Sequence, residues 1–260
     1  MKIRLEGSVA EVCGSIDIKA FLRYSDRNSD LIYSDIISQN RQGDFVIEMI
    51  IPDPGQPVRD LGLEIGGAEK NSGRILLHAV RLSGQPQMTI TASKLLENHD
   101  FPGWIKNFDA MRPGFRSDAE PTLYLIKNSG PGTMVTGTNR WQDYVFNAQV
   151  KLHMADSGGI LVRHQGQRRY IALILRKDRI QLIKEYYTTS VLLEQKVNLP
   201  PGKTVNLSLQ CTGPDISAFL DGKQIGKITV PELVCGGVGF IFENGCFGII
   251  NAQVRSNRKY

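Results

Sequence analysis

The stretch WQDYVFNAQVKLH, residues 141–153, decides the fold class of this sequence. Apolar and polar side chains alternate along it with a period of two residues. Successive side chains of a β-strand point to opposite faces of a sheet, so the pattern predicts a strand with one buried face. The predicted buried residues are Tyr144, Phe146, Ala148, Val150 and Leu152, and they alternate with Asp143, Asn147, Gln149 and Lys151.

Similar segments recur from residue 121 onward, at a spacing of about 8–12 residues. They are GGILVRHQG (158–166), RRYIALILRKD (168–178), RIQLIKEYY (179–187), TVNLSLQCTG (204–213), DISAFLDGKQIGKITV (215–230), GGVGFIFENG (236–245) and GIINAQVRS (248–256). Val205, Leu207 and Leu209 are expected to face inward. Lys177-Asp178 and Asp221-Gly222 are predicted two-residue turns. Short strands joined by tight turns are typical of an all-β antiparallel sandwich.

Four such segments precede residue 97: DIKAFLRYSD (17–26), DFVIEMIIPD (44–53), VRDLGLEIGG (58–67) and GRILLHAVRLSG (73–84). The second is apolar on both faces, with Phe45, Ile47, Met49 and Ile51 on one and Val46 and Ile50 on the other. Such a strand is expected at the centre of a sandwich. It is expected to end at Pro52, Pro54 and Gly55.

Residues 97–120 lack a clear periodicity and contain two prolines. We therefore predict two tandem antiparallel β-sandwich (jelly-roll) domains, residues 1–96 and 97–260, with less than about 10% helix. Trp104 and Phe108 are four residues apart and could form one ridge of a short helix. We favour a loop that these two rings hold against the second sandwich.

Charge is unevenly distributed along the 260 residues, whose formal net charge is +5. Residues 1–96 contain 11 Lys and Arg against 12 Asp and Glu, and residues 97–260 contain 20 against 14. Part of the excess lies in Arg163, His164, Arg168, Arg169, Arg176, Lys177, Arg179 and Lys184. A basic surface would suit an anionic partner, but we favour ordinary solvated strand faces. Nucleic acid is not expected, because no pattern of stacking aromatics or of a recognition helix accompanies these residues.

The sequence has no run of 18 apolar residues and no apolar signal core at its start. We therefore expect no membrane association and a cytoplasmic location. The four cysteines form no C-x-x-C pair, which argues against a zinc site and favours reduced thiols. They are Cys13, Cys211, Cys235 and Cys246, of which the last three are expected in the core.

Common catalytic and phosphate-binding motifs are absent, including G-x-S-x-G, G-x-x-x-x-G-K and H-E-x-x-H. The four histidines, at positions 78, 99, 153 and 164, are scattered and are expected to be structural. No catalytic residue, metal ligand or cofactor is therefore predicted. A pair of carboxylates could still support glycoside hydrolysis, with Asp143, Glu185 and Glu243 as candidates by strand position alone.

A polar and aromatic set in the second domain forms the predicted ligand-binding site: Trp141, Asp143, Arg163, Gln165, Tyr170 and Lys184. Aromatic rings stack on sugar rings, and the polar groups can hydrogen-bond hydroxyls. Strand parity places Arg163 and Gln165 on one face, opposite Val162 and His164. These groups either line an open groove, which we favour, or form a buried network with Asp143. Trp141 and Tyr170 could equally be packing residues.

Residues 137–185 resemble the concanavalin-A-like, laminin-G-like sandwich of many bacterial carbohydrate-active proteins. The shared motifs are Gly-x-x-x-Trp-x-Asp-Tyr at Gly137, Trp141, Asp143 and Tyr144, Gly-Ile-x-x-Arg-x-Gln at Gly159, Ile160, Arg163 and Gln165, Arg169-Tyr170, and Leu182-x-Lys184. The turn at Asp221–Lys223 and the strand GGVGF (236–240) fit as well. The sandwich also resembles that of bacterial keto-glycoside hydrolase-like proteins.

The segments DFVIEMIIPDPGQPVRDLGLEI and GRILLHAVRLSGQP resemble a galactose-binding-like jelly-roll module that precedes this sandwich in certain long chains. Those chains begin with an ADP-ribosylglycohydrolase-type catalytic domain. The resemblance implies that the 260 residues are the C-terminal, non-catalytic region of such a protein, with that domain as an upstream partner. The helical hydrolase domain and its magnesium ligands have no counterpart here, so no enzymatic activity is expected.

Three functions are thus compatible with the sequence. The favoured one is an accessory region that binds carbohydrate or a glycan-like ligand. The second is a structural or docking unit for a catalytic domain, and the third is a glycosidase-like enzyme. Two carboxylates about 5–10 Å apart would favour the enzyme. An exposed aromatic platform would favour binding, and an exposed apolar patch would favour docking.

Overall fold

The computed structural model describes residues 2–24, 30–51, 58–68, 70–83, 86–97, 104–115, 120–200 and 202–257. The chain divides into two compact units, Met1–Gly84 and Gln85–Tyr260. Strands pair antiparallel throughout the described residues, whose one helix is the short α1 (Ala92–Glu97). The predicted class of tandem antiparallel β-sandwiches is confirmed. Within the same residues, no helix has the length and hydrophobicity needed to cross a membrane.

The first unit has two sheets around one core. Its strands are β1 (Lys2–Cys13), β2 (Ile16–Tyr24), β3 (Ile32–Tyr33), β4 (Ile37–Gln39), β5 (Gly43–Ile50), β6 (Val58–Gly67) and β7 (Ser72–Ser83). One sheet has the order β5-β1-β7, and in the other β2 pairs with β3, β4 and β6. Every second residue of β1, β2 and β5 contributes to the core between the sheets.

Among the described strands β5 pairs only with β1 and is an edge strand, so its predicted central position is wrong. Phe45, Ile47 and Met49 are buried in the core as expected. Val46 and Ile50, on the opposite face, are 41% and 75% exposed, because that face is not covered. The apolar residues on the solvated face of β5 therefore give this edge strand the sequence pattern expected of a central strand. The predicted break at residues 52–55 lies outside the described residues.

The second unit begins before the predicted boundary near residue 97, because β8 already pairs with its last strand. Its strands are β8 (Gln87–Thr91), β9 (Trp104–Asn107), β10 (Ala110–Pro113), β11 (Leu123–Thr136), β12 (Tyr144–Leu152), β13 (Ser157–Gly166), β14 (Arg169–Leu175), β15 (Arg179–Tyr186), β16 (Thr189–Lys196), β17 (Thr204–Thr212), β18 (Asp215–Leu220), β19 (Lys223–Thr229) and β20 (Gly237–Ser256). The predicted strands from residue 141 onward all appear.

Two long strands, β11 and β20, run through both sheets of this unit. The front sheet has the order β16-β15-β14-β13-β20-β11-β9 and uses residues 237–243 of β20. The back sheet has the order β19-β18-β17-β12-β20, with β8, β10 and the start of β11 beyond it, and uses residues 245–256 of β20. Asn244 (φ 46°) and Gly245 (φ 118°) adopt left-handed backbone conformations at the crossover between these two portions.

The core between the two sheets confirms the register predicted for residues 141–153. Tyr144, Phe146 and Val150 have no exposed surface, and alternate residues of β17 face them from the neighbouring strand. Asp221 (φ 48°) and Gly222 (φ 79°) form the predicted hairpin turn, in which both positions need positive φ.

Residues 104–113 pack on the second sandwich, but as strands. The ring of Trp104, in β9, stacks on Phe240 with 6.4 Å between centroids, and Phe108 is half-buried against the same core. Both β9 and β10 pair with β11. The predicted contact is therefore correct, while the predicted loop is in fact two short edge strands.

Candidate functional site

Arg163 lies inside the second sandwich and has no exposed surface. Its guanidinium donates to the carbonyl oxygens of Leu233 and Gly213, which belong to two different connections between strands. Its backbone N–H donates to the hydroxyl of Tyr144 at 2.8 Å. Asp143 accepts a hydrogen bond from the backbone N–H of Gly213 at 2.8 Å, so Asp143 and Arg163 hold the same turn. The predicted open groove at Arg163 is wrong, and the alternative, a buried network, is what the structure contains.

A β-bulge explains why strand parity failed at this position. Arg163 has φ 54°, and the pairing of β13 with β20 shifts by one residue there. Val162 pairs with Val238 on the core side, whereas His164 pairs with Gly237 and therefore lies on the opposite face. A bulge inserts one extra residue into a strand and reverses the alternation beyond it.

Three more of the predicted ligand residues hold the connection at residues 230–236, here called the 230–236 loop. The side-chain amide of Gln165 donates to the carbonyl oxygen of Cys235 at 2.8 Å. The ammonium of Lys184 lies 2.9 Å from a carboxylate oxygen of Glu232. The carbonyl oxygen of Trp141 accepts from the last N–H of the loop at 2.9 Å. The structure thus brings these residues together around a loop of the protein itself, and their contact with a ligand stays a prediction.

Tyr170 is the predicted site residue that lies elsewhere, on the outer face of the front sheet. This face carries a second apolar layer made of Val135, Leu161, Ala172, Ile174, Ile183 and Ile241. The Tyr170 ring packs at its edge and stacks on His164, with 6.3 Å between centroids. Burial, together with the negative charge of Glu185 on the adjacent strand, raises the pKa of Tyr170 to about 12. The phenol is therefore a neutral donor and acceptor at physiological pH.

Three further side chains extend from Tyr170 to the solvent. Glu185, whose side chain is 12% exposed, accepts from Thr189 Oγ1 at 2.5 Å and lies 3.9 Å from Nε of Arg168. Arg168 in turn lies over the ring of Tyr187, 6.0 Å from its centroid, and Tyr187 is 52% exposed. We call Tyr170, His164, Glu185, Arg168 and Tyr187 the Tyr170 cluster. It combines an exposed aromatic ring, a carboxylate and a guanidinium, the groups that recognise sugars.

Sequence reasoning missed Arg168 and Tyr187 as site residues, although both lie in segments that it assigned to strands. They approach each other because Arg169 pairs with Tyr186 across β14 and β15. The predicted two-residue turn at Lys177-Asp178 could have revealed this proximity, because such a turn fixes the register between the two strands.

The carboxylates proposed for glycoside hydrolysis do not form a pair on the front sheet. Glu185 pairs with Tyr170, at the start of β14. Glu243 pairs with Ser157, and the next residue, Gly158, pairs with Leu175 at the end of β14. The two glutamates are therefore about six residues apart along the strand direction, which corresponds to roughly 20 Å at about 3.3 Å per residue. Glycosidase carboxylates lie within about 10 Å of each other. The third candidate, Asp143, is engaged with the backbone of another turn.

Cysteines and histidines do not assemble into a metal site in the described part of the chain. All four cysteines are free thiols; Cys211 and Cys246 are buried, Cys235 is half-buried and Cys13 is exposed, so the predicted core position of Cys235 is only partly met. Burial raises the pKa of Cys211 to about 11, which keeps this thiol protonated. The histidine at position 99 lies outside the described residues.

Comparisons of sequence find neither a matching family model nor a matching curated protein. Comparison of folds finds the carbohydrate-binding module CBM66 from Bacillus subtilis, with a TM-score of 0.52 and 14% identity over 59% of this chain and 96% of that one. A native glycosidic hydrolase (TM-score 0.48, 11% identity, 69% of this chain and 100% of that one) and the β-glucanase of Bacillus licheniformis (0.47, 11%, 68% and 100%) are also similar.

The match to the carbohydrate-binding module extends into the second unit, because 59% of the chain exceeds the length of the first unit. At 14% identity the similarity establishes the fold alone. The chain therefore shares its fold with a carbohydrate-binding module, and nothing beyond the fold follows from this similarity. The assignment of each unit to a particular sandwich family stays a prediction.

Proposed function

We propose that the second unit binds a carbohydrate at the Tyr170 cluster and has no catalytic activity of its own. The observation that carries this proposal is the exposed ring of Tyr187 beside Arg168, with Glu185 and the neutral phenol of Tyr170 next to them. A half-exposed aromatic ring offers a surface for the C–H face of a sugar. The flanking polar groups offer donors and acceptors for its hydroxyls. The fold shared with a carbohydrate-binding module supports this assignment.

Affinity gel electrophoresis in a panel of soluble polysaccharides tests the proposal. The parent protein should be retarded by at least one polysaccharide, and Tyr187→Ala should remove that retardation without changing the melting temperature. Tyr33→Ala is the matched control, because Tyr33 is a similarly exposed tyrosine (42%) in the first unit. Equal retardation of the parent and Tyr187→Ala would contradict the site. Absence of retardation in every gel would contradict the function.

The accessory role is also part of the proposal. The motif order that resembles the region following an ADP-ribosylglycohydrolase-type domain supports it, and we propose such a hydrolase as the catalytic partner. The coding sequence upstream of this chain provides the direct test. An in-frame helical domain rich in paired acidic residues would support the partnership, and an unrelated upstream sequence would contradict it.

A second candidate function, docking of another protein chain such as a second copy of this one, is favoured by the surface of β7. This strand pairs only with β1 among the described strands. Its apolar side chains are 40–49% exposed at Leu76, Leu77, Val80 and Leu82. An exposed apolar edge strand can add a strand from another chain. Light scattering on the parent and on Val80→Lys tests this: association that the variant loses supports docking, and a monomeric parent contradicts self-association through β7.

A further inference from the structure

Two arginine–tyrosine pairs lie side by side where two adjacent hairpins of the front sheet end. Arg168 and Arg169 come from the β13–β14 hairpin, and Tyr186 and Tyr187 come from the end of β15. The guanidinium carbon of Arg169 is 5.3 Å from the ring centroid of Tyr186, and that of Arg168 is 6.0 Å from the ring centroid of Tyr187. We call these four residues the arginine–tyrosine tip.

The guanidinium of Arg168 is held in place from several directions. It donates to the carbonyl oxygen of Tyr187, whose backbone N–H donates back to the carbonyl oxygen of Arg168 at 2.9 Å. Its Nε lies 3.9 Å from Glu185. A guanidinium fixed over an aromatic ring loses less conformational entropy when it binds an anion than a free side chain does. The tip is therefore preorganised.

The tip presents positive charge to the solvent. The side chain of Arg168 is 66% exposed, whereas that of Glu185, the nearby carboxylate, is 12% exposed. Lys184 adds little to this charge, because its side chain is only 23% exposed and its ammonium lies 2.9 Å from Glu232. Arginine has five N–H donors, and the contacts that Arg168 makes with the described residues engage Nε and one Nη. Donors thus remain for an external anion.

We propose that the arginine–tyrosine tip binds the anionic group of an acidic polysaccharide, either a uronate carboxylate or a sulfate ester. This inference rests on the proposed carbohydrate-binding function and names its ligand class. A guanidinium about 6 Å from an exposed ring matches one sugar residue, whose C–H face stacks on Tyr187 while its acidic group reaches Arg168. The 20 Lys and Arg against 14 Asp and Glu in residues 97–260 favour an anionic ligand over a neutral one.

A nucleic acid fits the tip less well. Its affinity comes from several regularly spaced phosphates on an extended basic surface. Besides Arg163, which is buried, the remaining arginines of the front sheet are Arg176 and Arg179. They lie at the opposite end of β14 and β15, and both are close to carboxylates. The tip therefore offers a binding site for one anionic group beside an aromatic ring, and not a row of sites for successive phosphates.

Matched pairs of polysaccharides test the ligand class by isothermal titration calorimetry. Polygalacturonate is compared with its full methyl ester, and dextran sulfate with dextran, so that the members of each pair share a backbone and differ in the charged group. The parent should bind one acidic member at least about tenfold more tightly than its neutral partner, and salt should weaken that binding. The two pairs distinguish a carboxylate from a sulfate.

Arg168→Gln should weaken binding to the acidic member by about tenfold, as expected for loss of a charge-assisted hydrogen bond. Arg255→Gln, an exposed arginine on the back sheet, should bind as the parent does. Equal affinity for acidic and neutral members, or unchanged binding by a folded Arg168→Gln, would overturn the inference. If neutral polysaccharides bind and Tyr187→Ala abolishes that binding, the proposed carbohydrate-binding function stands although the inference of an acidic ligand fails. Tighter binding to DNA or to anionic lipid vesicles would overturn it as well.

Discussion

Replacing Arg163 with alanine should strongly destabilise the second unit. The substitution removes two hydrogen bonds from a buried guanidinium and leaves the carbonyl oxygens of Leu233 and Gly213 without these donors. Hydrogen bonds to charged groups contribute about 1.5–3 kcal/mol each, so the expected loss is about 3–6 kcal/mol. The space left by the side chain adds a further cost. A loss of this size is a large part of the stability of a typical domain.

Urea denaturation followed by tryptophan fluorescence measures this loss. Both tryptophans of the chain, Trp104 and Trp141, lie in the second unit, so their emission reports on that unit alone. Arg255→Ala is the control, because Arg255 is exposed on the back sheet, and it should change the free energy of unfolding by less than about 0.5 kcal/mol. A change below about 1 kcal/mol in Arg163→Ala would refute the structural role of the buried guanidinium.

Two further predictions concern the same unit. Phe146→Ala should destabilise it by about 3–5 kcal/mol, because the ring is fully buried and contacts Phe240 edge to face at 5.9 Å; an unchanged urea midpoint would contradict the register of β12. Burial lowers the pKa of His164 below its usual 6.5, so the unfolded chain binds a proton at a higher pH than the folded chain does. Stability should therefore fall as the pH drops below about 6.5, and His164→Gln should reduce that fall, which urea midpoints at about pH 7.5 and about pH 5.5 would measure.

The sequence predicted the core of the second unit well because its signals there are local. The alternation from Tyr144 to Leu152 needs no knowledge of the neighbouring strands. The turn at Asp221-Gly222 follows from the backbone preferences of two residues. Both features depend only on residues close together in the chain, and both are present in the structure.

Features that depend on strand partners could not be predicted in this way. The edge position of β5 is set by which strands pair with it, and its sequence is equally compatible with a central position. The first strand, Lys2–Cys13, alternates from Ile3 onward but is missing from the predicted strands. The start of the second unit depends on the pairing of β8 with β20, which are about 160 residues apart in the chain.

The bulge at Arg163 connects the buried network to the candidate site. Because the extra residue reverses the alternation of β13, His164 lies on the outer face and stacks on Tyr170 instead of entering the core. The guanidinium of Arg163 donates hydrogen bonds to the carbonyl oxygens of Leu233 and Gly213. These bonds hold the left-handed backbone of the bulge in place. Loss of binding in an Arg163 variant would therefore be expected without any contact between Arg163 and a ligand. A substitution at Tyr187, whose ring is half-exposed, is the more direct probe of contact with the ligand.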